Sequence, residues 1–244
     1  SEISDTHQIA VDALPPLRFD PTSDLIFDFD TKLDGHANGM MLMATDAQGD
    51  VTLRETFYSI GGGFVMTEAE LAAGKATDEG APVPYPNKTA AEMLEMAKTS
   101  GKSIAQLKRA NEISRTGEIH LKQGTKRLWQ VMSDCIDRGL NTDGVLPGGL
   151  FVKRRAKGIH EALLAERGLN QPAPHTINDW MSTYAMAVNE ENAAGGQVVT
   201  APTNGAAGVL PATLRYYLDH VPGASEAHVE DFLLTAAAIG GLVK

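Results

Sequence analysis

The stretch Val199-Thr-Ala-Pro-Thr-Asn-Gly-Ala-Ala-Gly208, followed by Val-Leu-Pro-Ala, sets hydroxyls, a carboxamide and glycines between a short β-prone run and an apolar one. Gly205 and Gly208 allow the backbone to turn, and the apolar residues after them read as an opening helix. A helix start with free N–H groups and hydroxyls beside it is a natural seat for a small carboxylate or phosphate. The same pattern also fits a plain loop-to-helix turn with Thr203 or Asn204 as the N-cap. A second polar group lies upstream: His36-Ala-Asn-Gly39 precedes one strand-like run, and Tyr58-Ser-Ile-Gly-Gly-Gly63 closes the next. With a turn centred near Gln48, pairing joins residues whose numbers sum to about 96. Asn38 then faces Tyr58, and His36 lies beside Ser59 and Ile60. An imidazole, a carboxamide, a hydroxyl and three glycines thus meet at one open end, as a substrate pocket requires. The competing reading has His36 and Asn38 satisfying backbone groups at a strand end, with the glycines forming a bulge.

Other reactive residue types carry weaker signals. Gly61-Gly-Gly63 lacks the lysine of a phosphate loop and the spacing of a dinucleotide loop. Leu146-Pro-Gly-Gly-Leu-Phe-Val-Lys-Arg-Arg-Ala156 puts two arginines after a double-glycine turn. A planar guanidinium suits carboxylate recognition, but structural ion pairs are the expected role in so acidic a chain. Cys135 lies on an apolar helical stripe and reads as core. His7, His120, His160, His175, His220 and His228 have no zinc-site spacing, so no metal site is expected; His220 and His228 read as solvated.

The elements that must position these groups fall into two kinds. Residues 1–20 are polar and contain Pro15-Pro16, an irregular lead-in. From residue 24 to 58 apolar residues alternate. Leu25, Phe27 and Phe29 share one strand face and Met41 and Met43 another, while Val51, Leu53 and Phe57 line a third opposite Thr52, Arg54 and Thr56. Asp46-Ala-Gln-Gly-Asp50 has hairpin-loop composition. After Thr67 the pattern turns helical, and the three prolines within Gly80–Asn87 mark a stiff connection. Beyond it, Thr89-x-x-Glu92 and Ser103-x-x-Gln106 have the form of capping boxes. Leu128, Val131, Met132, Cys135 and Ile136 make a helical stripe ending near Gly139. Met181, Tyr184, Ala185 and Val188 make another, as do Val229, Phe232, Leu233 and Ala236. The expected fold is α+β: an N-terminal part with an antiparallel hairpin-containing sheet (1–80), a Pro-rich linker (81–88) and a mostly α-helical part (89–244).

Composition narrows the function classes. The 244 residues suffice for a sizeable core, and 43% apolar with 21% charged residues describes an ordinary globular protein. A net charge of −10 argues against nucleic-acid binding. No apolar run reaches the ~18–20 residues of a membrane span. The first residues lack a signal peptide's basic and apolar regions. One cysteine permits no internal disulfide, so a cytoplasmic location is expected.

In this order, His36-Ala-Asn-Gly, Tyr58-Ser-Ile-Gly-Gly-Gly-Phe64, Leu146-Pro-Gly-Gly-Leu150 with Arg154-Arg-Ala156, and Thr200-Ala-Pro-Thr-Asn-Gly-Ala-Ala-Gly208 closely resemble the iron–sulfur-dependent bacterial L-serine dehydratases. The resemblance runs from about residue 24 to the last residue. It implies an N-terminal α/β domain, a helical catalytic domain, a [4Fe–4S] cluster in place of pyridoxal phosphate, L-serine as substrate, and pyruvate and ammonia as products. His36, Asn38 and Ser59 match polar residues lining that family's active site. Thr200, Ala201, Thr203, Asn204 and Gly205 match its substrate-contacting loop. The resemblance further implies a homodimer or a companion subunit, an N-terminal Ser-His-Thr motif, and three cluster cysteines after the segment resembling Ala236-Ala-Ala-Ile-Gly240. This chain has neither the motif nor those cysteines. A cluster needs three or four thiolates, so the expectation is that this polypeptide alone binds none and belongs to a longer or two-chain enzyme. Two other readings compete. A pyridoxal-phosphate dehydratase needs a Schiff-base lysine beside a glycine loop, which Lys75, Lys102, Lys153 and Lys157 do not provide. A non-catalytic module binding small carboxylates is compatible with the single cysteine.

Overall fold

The computed structural model describes residues 2–10, 15–61, 64–74, 82–166, 175–199 and 204–242. The chain forms two compact units, Ser1–Ile60 with Phe64–Lys75, and Ala76–Lys244 with Gly61–Gly63. The class is α+β, with small antiparallel sheets in the first unit and helices dominating the second.

The first unit opens with α1 (Glu2–Thr6) and an antiparallel pair, β1 (Gln8–Ile9) and β2 (Leu17–Arg18), where an irregular lead-in was expected. Its main sheet has the order β3 (Gly39–Thr45), β4 (Val51–Gly61), β5 (Phe64–Thr67). The hairpin turn forms as its composition demands. The Asp46 carboxylate accepts the N–H groups of Gln48 and Asp50, and Gly49 takes a φ of +91°. The expected register holds only next to the turn, where Thr45 faces Val51. A bulge between Ala44 and Thr45 shifts the rest by one residue, so that Gly39, not Asn38, faces Tyr58.

Burial in this sheet departs from the apolar pattern. Val51 and Leu53 are 56% and 63% exposed, whereas Thr56 and Tyr58 on the other face are buried. The Tyr58 ring decides the face, because Gly35 and Gly39 approach it closely. A Cβ on Gly35 would lie 2.6 Å from the ring's Cζ, and one on Gly39 3.1 Å from its Cδ1. The expected strand at Leu25, Phe27 and Phe29 is not formed; the two phenylalanine rings stack on each other, exposed, at 6.5 Å. After β5, Thr67 and Glu70 form a capping box that starts α2 (Glu68–Ala72).

The second unit contains α3 (Ala90–Ser100), α4 (Ile104–Thr116), α5 (Glu118–Asn141), α6 (Ala156–Glu166), α7 (Thr176–Ala193), α8 (Val209–His220) and α9 (Val229–Gly240). Thr89/Glu92 and Ser103/Gln106 form both capping boxes read from the sequence. Helix α7 is central and packs on α5, α6 and α8, while α4 packs on α5 and α9. Arg109 ties the latter three together, donating to Glu118 at 2.7 Å and to Glu230 at 2.8 Å.

The principal core joins Cys135, Ile136 and Leu140 of α5 to Trp180, Tyr184, Ala187 and Val188 of α7. Burying one such aliphatic side chain contributes about 1.5–3 kcal/mol. Helix α5 passes Gly139, where the stripe was expected to end, and stops at Asn141. Gly139 is a contact residue: a Cβ there would sit 2.4 Å from the Ala187 carbonyl oxygen. Leu128 is exposed, and the buried line runs through Leu121, Thr125 and Met132. On α7, Met181 and Ala185 are only half-buried, and Trp180, Thr183 and Ala187 widen the buried arc because three helices surround this one. On α9 the deeply buried residues are Val229 and Leu234.

Candidate active site

In the first unit the shifted register decides which polar groups meet. The Ser59 N–H donates to the Asn38 carbonyl at 2.9 Å, and the Asn38 N–H donates to His36 Nδ1 at 3.1 Å. A ring nitrogen that accepts carries the lone pair, so the proton of the neutral His36 ring sits on Nε2. Asn38 and Ser59 lie on the sheet face opposite Tyr58. With Gly39, Met40, Phe57 and Val65 they line a cleft of about 270 Å³. His36 is half-buried and joins this group through the Asn38 backbone. The three expected residues of this unit are therefore brought together. Of the three glycines beside them, Gly62 and Gly63 lie outside the described residues.

In the second unit Thr200, Ala201 and Thr203 also lie outside the described residues. Asn204 and Gly205 lie in a 3-10 turn (Asn204–Ala206) just before α8. The N-cap of α8 is Gly208, with no side-chain cap, so Asn204 does not cap this helix. Gly208 is needed for close packing, since a Cβ would lie 2.7 Å from the Ala185 carbonyl oxygen. Asn204 Nδ2 reaches Asn192 Oδ1 at 3.3 Å. The turn is thus pinned to α7 at both ends.

The end of α7 holds a buried acidic pair that composition did not reveal. Glu190 Oε1 accepts the Arg155 N–H at 2.7 Å and, with Oε2, the Ala156 N–H at 3.4 Å, fixing the start of α6. Glu191 accepts from Arg154 at 2.8 Å and from Arg138 at 3.0 Å. Both side chains of the Arg154–Glu191 pair are 7% exposed. Arg138 also donates to the Gln197 carbonyl at 2.8 Å, and the Gly196 N–H to the Glu191 carbonyl at 2.8 Å. Two adjacent glutamates therefore hold both the 146–156 segment and the approach to residue 200. Adjacent acids at a helix end read as solvated in a sequence; the four basic or N–H partners come from distant segments.

The histidines expected to be solvated have partners. His220 stacks on Tyr216 at 4.7 Å and packs on Trp180 at 4.8 Å, and His228 Nδ1 lies 2.9 Å from the Tyr217 hydroxyl. Cys135 is buried in the core as expected, and burial pushes its thiol pKa up, away from the thiolate that a metal or an electrophile needs. Among the described residues no three His, Cys, Asp or Glu side chains converge as a metal site. The side chains on hand do not fit an iron–sulfur cluster. Among the same residues no helix is long and apolar enough to cross a membrane.

Comparison with known proteins bears on both units. The family model described as Serine dehydratase beta chain matches residues 1–70, and that described as Serine dehydratase alpha chain matches residues 91–244. The L-serine dehydratase of Streptomyces coelicolor is 46% identical over 221 residues, covering 91% of this chain and 48% of its own length. That of Haemophilus influenzae is 41% identical over 228 residues (93% and 49%), and that of Helicobacter pylori 40% over 228 residues (93% and 49%). The chain spans about half the length of these curated relatives.

Proposed function

This chain belongs to the serine dehydratase family, and from that premise we propose that it forms the serine-binding part of an L-serine dehydratase. The supporting observation is the 40–46% identity to proteins named L-serine dehydratase, sustained over most of this chain. The reaction removes the Cα proton and the β-hydroxyl of L-serine as water. The aminoacrylate left behind tautomerises to the imine, which water hydrolyses to pyruvate and ammonia.

In the second unit, Thr203 and Asn204 and the N–H groups of the turn before α8 donate to the serine carboxylate, with Thr200, Ala201 and Gly205 completing the loop. The tether from Asn204 to Asn192 limits the rotamers of the carboxamide before substrate arrives. In the first unit, His36, Asn38 and Ser59 are the polar groups assigned to orienting substrate or relaying the Cα proton. The Asn38 N–H holds the His36 ring by Nδ1 and leaves the Nε2 side for exchange with substrate.

The resemblance implies a [4Fe–4S] cluster. We place its thiolate ligands outside the half of the relatives' length that this chain spans. The segments described as alpha and beta chains are joined in this one polypeptide. We further propose a cytoplasmic enzyme acting as a homodimer or with a companion subunit.

The test is pyruvate formation from L-serine by the full-length protein, purified without oxygen and assayed for iron and acid-labile sulfide. His36→Ala and Asn204→Ala should each lower kcat/KM by about 10²-fold or more. Near-normal turnover removes that residue from the site. Serine binding without any turnover by an iron-loaded protein would favour a binding module instead.

A further inference from the structure

Arg154 and Arg155 are neighbours in sequence with different surroundings. The Arg154 guanidinium is buried against Glu191. Arg155 has its backbone N–H fixed by Glu190, while its side chain makes no ion pair among the described residues. It lines a cleft of about 400 Å³ with Leu146, Lys153, Ser182, Ala185 and Asn189 among the other walls. That volume lies within the roughly 300–1,000 Å³ usual for small-ligand sites. Lys153 brings a second cation to the same cleft, and the one acid in its lining, Glu190, is occupied by the N–H groups of Arg155 and Ala156. In a chain of net charge −10 this is a local excess of positive charge.

The cleft adjoins the turn that begins at Asn204. Ala185 both lines the cleft and meets Gly208. Asn189 lines the cleft too, and Asn192, which holds Asn204, follows it by three residues, about 4.5 Å along the same face of α7. The turn offers neutral hydrogen-bond donors; the cleft offers charge.

We propose that Arg155 binds the carboxylate of the substrate in this cleft, with Lys153 adding to the field, as a site that deepens the dehydratase reading and rests on it. A planar guanidinium pairs with both oxygens of a carboxylate, and the fork geometry fixes its plane. The anchored N–H of Arg155 holds the base of the side chain in place. A small α-hydroxymethyl amino acid bound this way has its carboxylate between the two, paired with the Arg155 guanidinium and accepting on its remaining lone pairs from the neutral donors of the turn at Asn204.

The test uses the full-length enzyme and its Arg155→Ala and Arg155→Gln variants, with circular dichroism to verify the fold. KM for L-serine should rise roughly 10- to 100-fold, with a much smaller change in kcat. Two serine fragments separate charge recognition from general damage. 3-Hydroxypropionate keeps the carboxylate, and ethanolamine lacks it. Inhibition by 3-hydroxypropionate should weaken by the same factor as KM, while inhibition by ethanolamine stays within about twofold. An unchanged KM, or equal weakening of both inhibitors, overturns the proposal. Should the wild-type protein not turn over L-serine, the dehydratase reading fails. Titration calorimetry with 3-hydroxypropionate then decides the site alone: heat that Arg155→Ala abolishes supports it, and the same heat in both proteins overturns it.

Discussion

Glu191 concentrates more of the structure than any residue that the sequence marks as chemical. One carboxylate satisfies the buried Arg154 and the partly exposed Arg138, and Arg138 passes the constraint to the Gln197 carbonyl. Taking a guanidinium from water costs several kcal/mol unless a partner replaces that solvation. Glu191→Ala should therefore destabilise the protein by about 3–5 kcal/mol, since it leaves Arg154 buried and unpaired. Urea unfolding of the variant measures this; a loss below about 1 kcal/mol would mean that water reaches Arg154. Sequence reading gave this arginine pair a structural role or a carboxylate, without a means of dividing the two. Burial divides them, sending Arg154 into an ion pair and leaving Arg155 to its cleft. At the candidate site, His36, Asn38 and Ser59 were legible because a hairpin must bring its two open ends together. Asn192 and Glu190 were not, because their partners lie at least twelve residues away along the chain.

Among the elements, helix starts were the most legible feature, as both capping boxes are local chemistry over four residues. The hairpin was legible too, but its register was off by one beyond the bulge, a feature that no short-range pattern announces. Glycines in helices divide in the same manner. Gly124 and Gly139 both lie in α5, yet an added Cβ meets nothing at Gly124 and the Ala187 backbone at Gly139. Gly124→Ala should stabilise the protein by about 0.4–1 kcal/mol, through the lower entropy of the unfolded chain. Gly139→Ala should destabilise it by about 1–3 kcal/mol, because a carbonyl of α7 has to retreat. In thermal melts the two substitutions should shift Tm in opposite directions, by about 2–4 °C per kcal/mol. A shared sign would refute the close packing of α5 on α7.

At the scale of the whole molecule, each unit has its own buried centre: Tyr58 in the first, and the α5–α7 core with the smaller Ala105–Leu121–Leu234 cluster in the second. A helical unit with its own core should fold without the sheet unit. Residues 82–244 expressed alone are expected to melt cooperatively by circular dichroism; a gradual loss of signal would make that core dependent on residues 1–75. By itself the sequence determined the α+β class, the capped helices, the hairpin and the family, since each rests on local propensity or on ordered motifs spread along the chain. Only the tertiary structure decided which sheet face is buried, which glycines are contacts, which arginine is held in an ion pair, and how the turn at Asn204 is tethered. Those outcomes depend on groups far apart in the chain: Tyr58 against Gly35, Gly139 against Ala187, Arg154 against Glu191, and Asn204 against Asn192. Burial is a property of the packed chain, and a sequence pattern states only which residues tolerate it.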